Sequence, residues 1–224
     1  MKNTLRTNGE QFKLIEMMTS TPNLLLRKHA APTSMLEIWP DAYLTLGRVH
    51  EACGPNRRSL AIMIAQKTQG PIFWIAPQWA TDHLHSDGMV PFINPGRLTF
   101  LSPKRAEDIL WCVEEVLRSG AVPLVVVDLP SLPAHTPIRR LHLAAETGMS
   151  DGTSPPLGLL LTPGDGGAPG VESRWQLTAS HQGPNDSWQL ERIRSRRDTP
   201  RSWRVSRRNG RYTLGPLSKT DDNL

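Results

Sequence analysis

The chain has 224 residues, with 26 lysines and arginines against 21 aspartates and glutamates and a formal net charge of +5. That length suits one domain with a real hydrophobic core and leaves little room for two. No run approaches the roughly 18 uncharged apolar residues of a membrane helix, the first residues lack a secretory apolar stretch, and Cys53 and Cys112 do not form a disulfide framework by spacing, so a cytoplasmic, reducing compartment is expected.

Residues 1–34 mix Asn, Thr, Ser, Lys and Pro with one weak amphipathic stretch, Phe12, Leu14, Ile15 and Met18, and read as a flexible arm with a short helix. From about residue 44 apolar strands alternate with helical segments, the pattern of an α/β domain with a mainly parallel sheet flanked by helices. The expected strands are Thr45–Glu51, Pro71–Ala76, Leu98–Leu101, Val122–Val127 and Leu157–Thr162, whose near-continuous Val, Ile and Leu content suits burial on both faces. A helix is expected over Pro103–Ser119, capped by Ser102 and ended by Gly120, with Ile109, Leu110, Val113, Val116 and Leu117 on one face and Glu107, Asp108, Glu114, Glu115 and Arg118 turned away. A second spans Pro137–Thr147, with Thr136 as cap and Gly148 as stop.

After residue 163 the texture becomes a Gly-rich loop, Pro163–Gly170, and then strands in which Trp and Arg alternate. Antiparallel strands are expected over Ser173–Ala179, Ser187–Arg194, Ser202–Ser206 and Arg211–Leu214, with Asn209-Gly210 as a hairpin turn. The domain is thus expected over residues 35–214, and residues 215–224 form a polar, disordered tail. Residues 191–211 carry nine arginines against Glu191 and Asp198, a net +7 that leaves about −2 for the remainder. Such a local charge suits an anionic contact or an arginine-decorated, solvated sheet edge.

One stretch carries a family resemblance. Leu117-Arg118-Ser119-Gly120-Ala121-Val122-Pro123-Leu124-Val125-Val126-Val127-Asp128 resembles the helix, turn and Walker B strand of the RecA-like ATPase core. Upstream, Gly47 to Pro55 is similar to the strand entering a RecA phosphate loop, and downstream Gly166-Gly167 with Ser173 to Leu177 is similar to its Gly-Gly loop and returning strand. The resemblance covers about residues 44–214. The Gly-Arg-Val-His-Glu start, the lysine-free loop and the Trp- and Arg-rich ending look most like ImuA-type proteins, degenerate relatives of RecA. It implies a RecA-like core extended by C-terminal antiparallel strands, and a place in SOS-induced translesion synthesis beside an ImuB-like protein, a DnaE2 polymerase and RecA.

The chemistry expected of that core fails at several residues. An active phosphate loop needs amides that cradle phosphates, a lysine on the β and γ phosphates and a hydroxyl on magnesium. Here the loop reads Gly54-Pro55-Asn56-Arg57-Arg58-Ser59, about two residues short by comparison with RecA and without its second glycine or its lysine. A planar guanidinium is a poor substitute for the lysine point charge. Arg57 and Arg58 either hold an anion at a helix N-terminus or are surface residues. Asp128 either serves magnesium or caps the next loop. Gln78 stands where RecA-type enzymes place a water-activating glutamate, and an amide cannot act as a general base.

The expectation is therefore a non-enzymatic adaptor with no catalytic residue, no metal and no cofactor, residual ATP binding being left open, whose vestigial nucleotide site is Gly54, Pro55, Arg57, Arg58, Ser59, Gln78 and Asp128. The alternatives are an ATP-binding enzyme with an unorthodox loop, and a module contacting single-stranded DNA or a protein partner through Arg192, Arg194, Arg196, Arg197, Arg201 and Arg204. His83 and His85, with Asp82 and Asp87 nearby, match no zinc spacing. Trp175, Trp188 and Trp203 could stack on bases but more readily pack a sheet against its helices.

Overall fold

The computed structural model describes residues 34–180, 187–208 and 211–216, all within one compact unit. The expected N-terminal arm, apart from Ser34, the Asn209-Gly210 turn and the tail beyond Pro216 lie outside these residues. The strands are β1 (Met35–Trp39), β2 (Ala42–Thr45), β3 (Arg48–Cys53), β4 (Ile72–Ile75), β5 (Leu98–Leu101), β6 (Leu124–Asp128), β7 (Leu157–Leu161), β8 (Ser173–Ala179), β9 (Ser187–Ser195), β10 (Arg201–Arg208) and β11 (Arg211–Pro216). The helices are α1 (Arg57–Ala65), α2 (Ser86–Met89), α3 (Ala106–Ser119) and α4 (His135–Asp151).

Nine strands form one mixed, mostly parallel sheet in the order β11-β10-β9-β8-β3-β7-β6-β4-β5. The pairings from β8 through β3, β7, β6 and β4 to β5 are parallel, and β8 to β11 continue it antiparallel. Alternate residues of one strand feed two separate cores. Leu124 and Val126 of β6 join α1 and the β1–β2 hairpin on one face, while Val125 and Val127 join α3 and α4 on the other. Each fully buried Val or Leu contributes roughly 1.5–3 kcal/mol, which is why β6, buried along its whole length, reads as a continuous apolar run.

Several boundaries differ from expectation. Thr45 ends β2, and the chain turns through Leu46–Gly47 before β3, so the segment read as one strand belongs to two. The β1–β2 hairpin, with strands of five and four residues, was not expected from the sequence. Ser102 does not cap α3. The helix begins at Ala106 with Arg105 at its N-cap in extended conformation, and Glu107 and Asp108 in the first turn face the positive end of the helix dipole. Glu114 does not point to solvent: it is buried between Arg118 and Arg140. Gly120 does end α3, in the left-handed region at φ 57°.

Gly148 does not stop α4, which runs on to Asp151, and Thr136 lies inside the helix rather than at its cap. The reason for Gly148 is packing. A Cβ there would sit 2.0 Å from the Leu117 carbonyl oxygen, so the glycine lets α4 cross the end of α3 backbone to backbone. The last strand reaches Pro216, beyond the expected end of the domain, by pairing Pro216 with Trp203 of β10. No helix of the described residues is long and apolar enough to cross a membrane.

Candidate functional site

In open α/β sheets, ligand sites form in the crevice beyond the carboxyl ends of the strands. Here that edge collects the ends of β3, β7 and β6. Gly54 leaves β3 at φ 83°, and a Cβ there would meet the Gln176 side chain at 3.0 Å, so the turn into α1 needs glycine. Its amide donates to the Gly164 carbonyl at 2.9 Å, which ties the loop to the Gly-rich segment instead of leaving that donor for a ligand. Asn56 at the α1 N-cap makes no side-chain cap, and the first turn of α1 contains no acid. Pro55 and Ser59 are exposed.

The compensation comes from across the sheet. Asp128, at the end of β6 and 6% exposed, accepts a hydrogen bond from Arg58 Nε at 2.5 Å and has Arg57 Nη2 at 3.6 Å from its other oxygen. Arg58 also reaches exposed Asp82 at 3.5 Å, and Arg57 Nη1 donates weakly to the Gly54 carbonyl at 3.4 Å. Both guanidinium groups at the start of α1 therefore converge on the one buried carboxylate at the end of β6. Of the expected site, Gly54, Arg57, Arg58 and Asp128 converge, whereas Gln78 is exposed on the loop after β4, its backbone N–H donating to the Pro103 carbonyl. A cavity of about 220 Å³ adjoins Arg58, walled by Trp74, Pro77, Asp82, His83 and Phe100.

The strongest polar centre at this edge is one that motif reading missed. Glu51 in β3 is fully buried, and its Oε1 accepts from the Thr162 hydroxyl at 2.6 Å and from the amides of Gly167 and Ala168 at 2.8 and 3.0 Å. Its Oε2 pairs with Arg174 of β8. One carboxylate thus pins the Gly-rich loop to β3 and β8. The signal was present as an acidic residue in a strand expected to be buried on both faces, because a buried charge must be paired. Cys53, next to this centre, has its thiol pushed up to about 11 by burial and by the neighbouring Glu51 carboxylate, which makes it an inert packing group.

Two histidines are likewise internal. His50 places Nε2 3.0 Å from the Thr45 carbonyl and Nδ1 2.6 Å from the Ser173 hydroxyl, which itself receives the Trp175 indole N–H at 2.6 Å. Only the neutral Nε2–H tautomer satisfies every partner, Ser173 donating to Nδ1. His142 repeats the arrangement, accepting from the Val49 amide at 3.4 Å and donating to the Gly170 carbonyl at 3.1 Å. Burial lowers both histidines to about 4.

The arginine group divides. Arg192 is 6% exposed, lies over the rings of Trp175 and Trp203 at 5.6 and 5.3 Å, and pairs with Asp198 at 3.4 Å, so it is a core cation. Arg204 is half-buried and engaged. Arg194, Arg196, Arg197 and Arg201 are exposed, Arg201 lying 3.5 Å from Asp41. Trp175, Trp188 and Trp203 are all buried, Trp175 and Trp203 stacking at 5.9 Å, which withdraws them from base stacking. No family model and no curated protein matches the chain.

Proposed function

We propose that this chain is a non-catalytic, RecA-like adaptor in SOS-induced DNA-damage tolerance, acting in the cytoplasm on an ImuB-like protein, a DnaE2 polymerase or RecA, with single-stranded DNA as a further contact. The observation that carries the non-catalytic reading is the Arg58–Asp128 pair at 2.5 Å, with Arg57 on the same carboxylate. A nucleotide with magnesium would have to break this pair, and the Gly54 amide is already spent on Gly164. Gln78 supplies no base in any event. The pathway assignment is supported by the sequence resemblance, and the mixed, mostly parallel sheet with its antiparallel extension is compatible with it.

The test is calorimetry and turnover on the full chain. Mg-ATP is expected to give no binding heat at high micromolar protein, and ATPase activity to stay at background with and without single-stranded DNA. Capture of an ImuB-like protein or RecA from damage-induced cells is expected. A DNA-stimulated ATPase abolished by Asp128→Ala would reject the adaptor reading.

A further inference from the structure

Along one flank of α4 a cavity of about 360 Å³ is lined by Arg48 of β3, by His135, Arg139, His142 and Glu146 of α4, and by Arg196 just beyond β9. Three guanidinium groups from three elements therefore meet around one space. Arg48 is held by Glu146 and lies 4.0 Å from Glu172. Arg196 lies 4.0 Å from the same Glu172 oxygen and donates from Nη2 to the Gly170 carbonyl at 2.7 Å. Arg139 is exposed and makes no ion pair or hydrogen bond among the described residues. Counting both carboxylates against the three arginines leaves one uncompensated positive charge.

Gly170 brings backbone to the cavity wall. Gly170 has φ 81°, and a Cβ there would lie 3.2 Å from the His135 ring. The Gly170 carbonyl orients both the His142 ring and the Arg196 guanidinium, so part of the cationic wall is set before any ligand arrives. Preoriented guanidinium forks match the geometry of phosphate oxygens. The cations remain accessible, with side-chain exposures of 34% for Arg48 and 52% for Arg196, which suits a phosphate carried on an extended chain rather than an enclosed small molecule.

We infer that this groove is a phosphate-oxyanion site whose ligand is the phosphodiester backbone of single-stranded nucleic acid. It deepens the DNA-contact part of the adaptor reading, and it stands on the groove alone. ATP turnover would overturn the adaptor reading and leave this site untouched.

The full chain, titrated with fluorescein-labelled oligothymidylate by anisotropy over a potassium chloride series, is expected to bind with affinity that falls steeply with salt. The double variant Arg139→Ala with Arg196→Ala is expected to bind about tenfold or more weakly and to flatten the log–log salt slope by about 1.4, two single-strand phosphate contacts. Arg105→Ala, an exposed arginine at the start of α3, is expected to bind as the parent does. Calorimetry with inorganic pyrophosphate separates the sources: pyrophosphate bound by the parent and lost in the double variant, without oligonucleotide binding, overturns the nucleic-acid assignment and leaves a site for a free phosphate compound. The site is overturned if neither ligand binds, if parent and double variant bind alike, or if Arg105→Ala weakens binding as much as the double variant.

Discussion

Replacing Glu51 by glutamine keeps the side chain's shape and removes one negative charge at a fully buried position. The amide oxygen can still accept from Thr162, Gly167 and Ala168, which all converge on Oε1. The amide nitrogen must then face Arg174 Nε, so donor meets donor and a guanidinium whose side chain is only 17% exposed loses its counter-charge. Breaking a buried pair by removing one partner costs roughly 3–5 kcal/mol, a large part of the roughly 5–15 kcal/mol that holds a domain folded. Equilibrium urea unfolding by far-UV circular dichroism is expected to show that loss for Glu51→Gln, with faster amide exchange at Gly167 and Ala168. Adding Arg174→Met is expected to restore about half or more of it, because no buried charge is then left alone. A loss under about 1 kcal/mol for the single variant, or no recovery in the double, would refute the view that this pair anchors the Gly-rich loop.

His50 and His142 have folded-state values near 4, below the 6.5 of an unfolded chain, so the unfolded state takes up protons first. Their contribution is fully present above about pH 6.5 and is lost as pH falls toward 4. Between pH 7 and 5 the urea midpoint should drop by the equivalent of about 2 kcal/mol from His50 and less from His142, which lies nearer the surface. His50→Gln should flatten the dependence, and an unchanged midpoint in the parent would contradict the burial argument. Gly148→Ala forces a methyl onto the Leu117 carbonyl and should cost about 1–3 kcal/mol or more. Unfolding indistinguishable from the parent would mean that α3 and α4 can separate without penalty.

Much of the architecture was legible because local chemistry and tertiary demand agree. The β5 and β8 segments match expectation residue for residue, their Gly, Pro and polar flanks ending them where the sheet does. Cap assignments at Ser102, Thr136 and Gly148 failed, α3 starting at Ala106 and α4 running from His135 to Asp151, and for Gly148 the reason is a contact distant in sequence. Gly148 looks like a helix stop until Leu117 is brought against it. The candidate site was legible in part. Arg57, Arg58 and Asp128 belong to the expected site, yet nothing in their order along the chain says that both guanidinium groups meet one carboxylate, because that depends on the strand order β3-β7-β6, which sets where the ends of β3 and β6 lie.

From the sequence alone came the α/β class and the near-continuous apolar content of the central strands, buried on both faces. These depend on residue identity and short-range periodicity. The pairing of Glu51 with Arg174, the withdrawal of Arg192 into the core, and the meeting of Arg48, Arg139 and Arg196 around one cavity were decided only by the tertiary structure. Each joins residues dozens of positions apart or turns a side chain inward, and the sign and burial of a charge's neighbours, which set what that charge can do, exist only once the strands are placed.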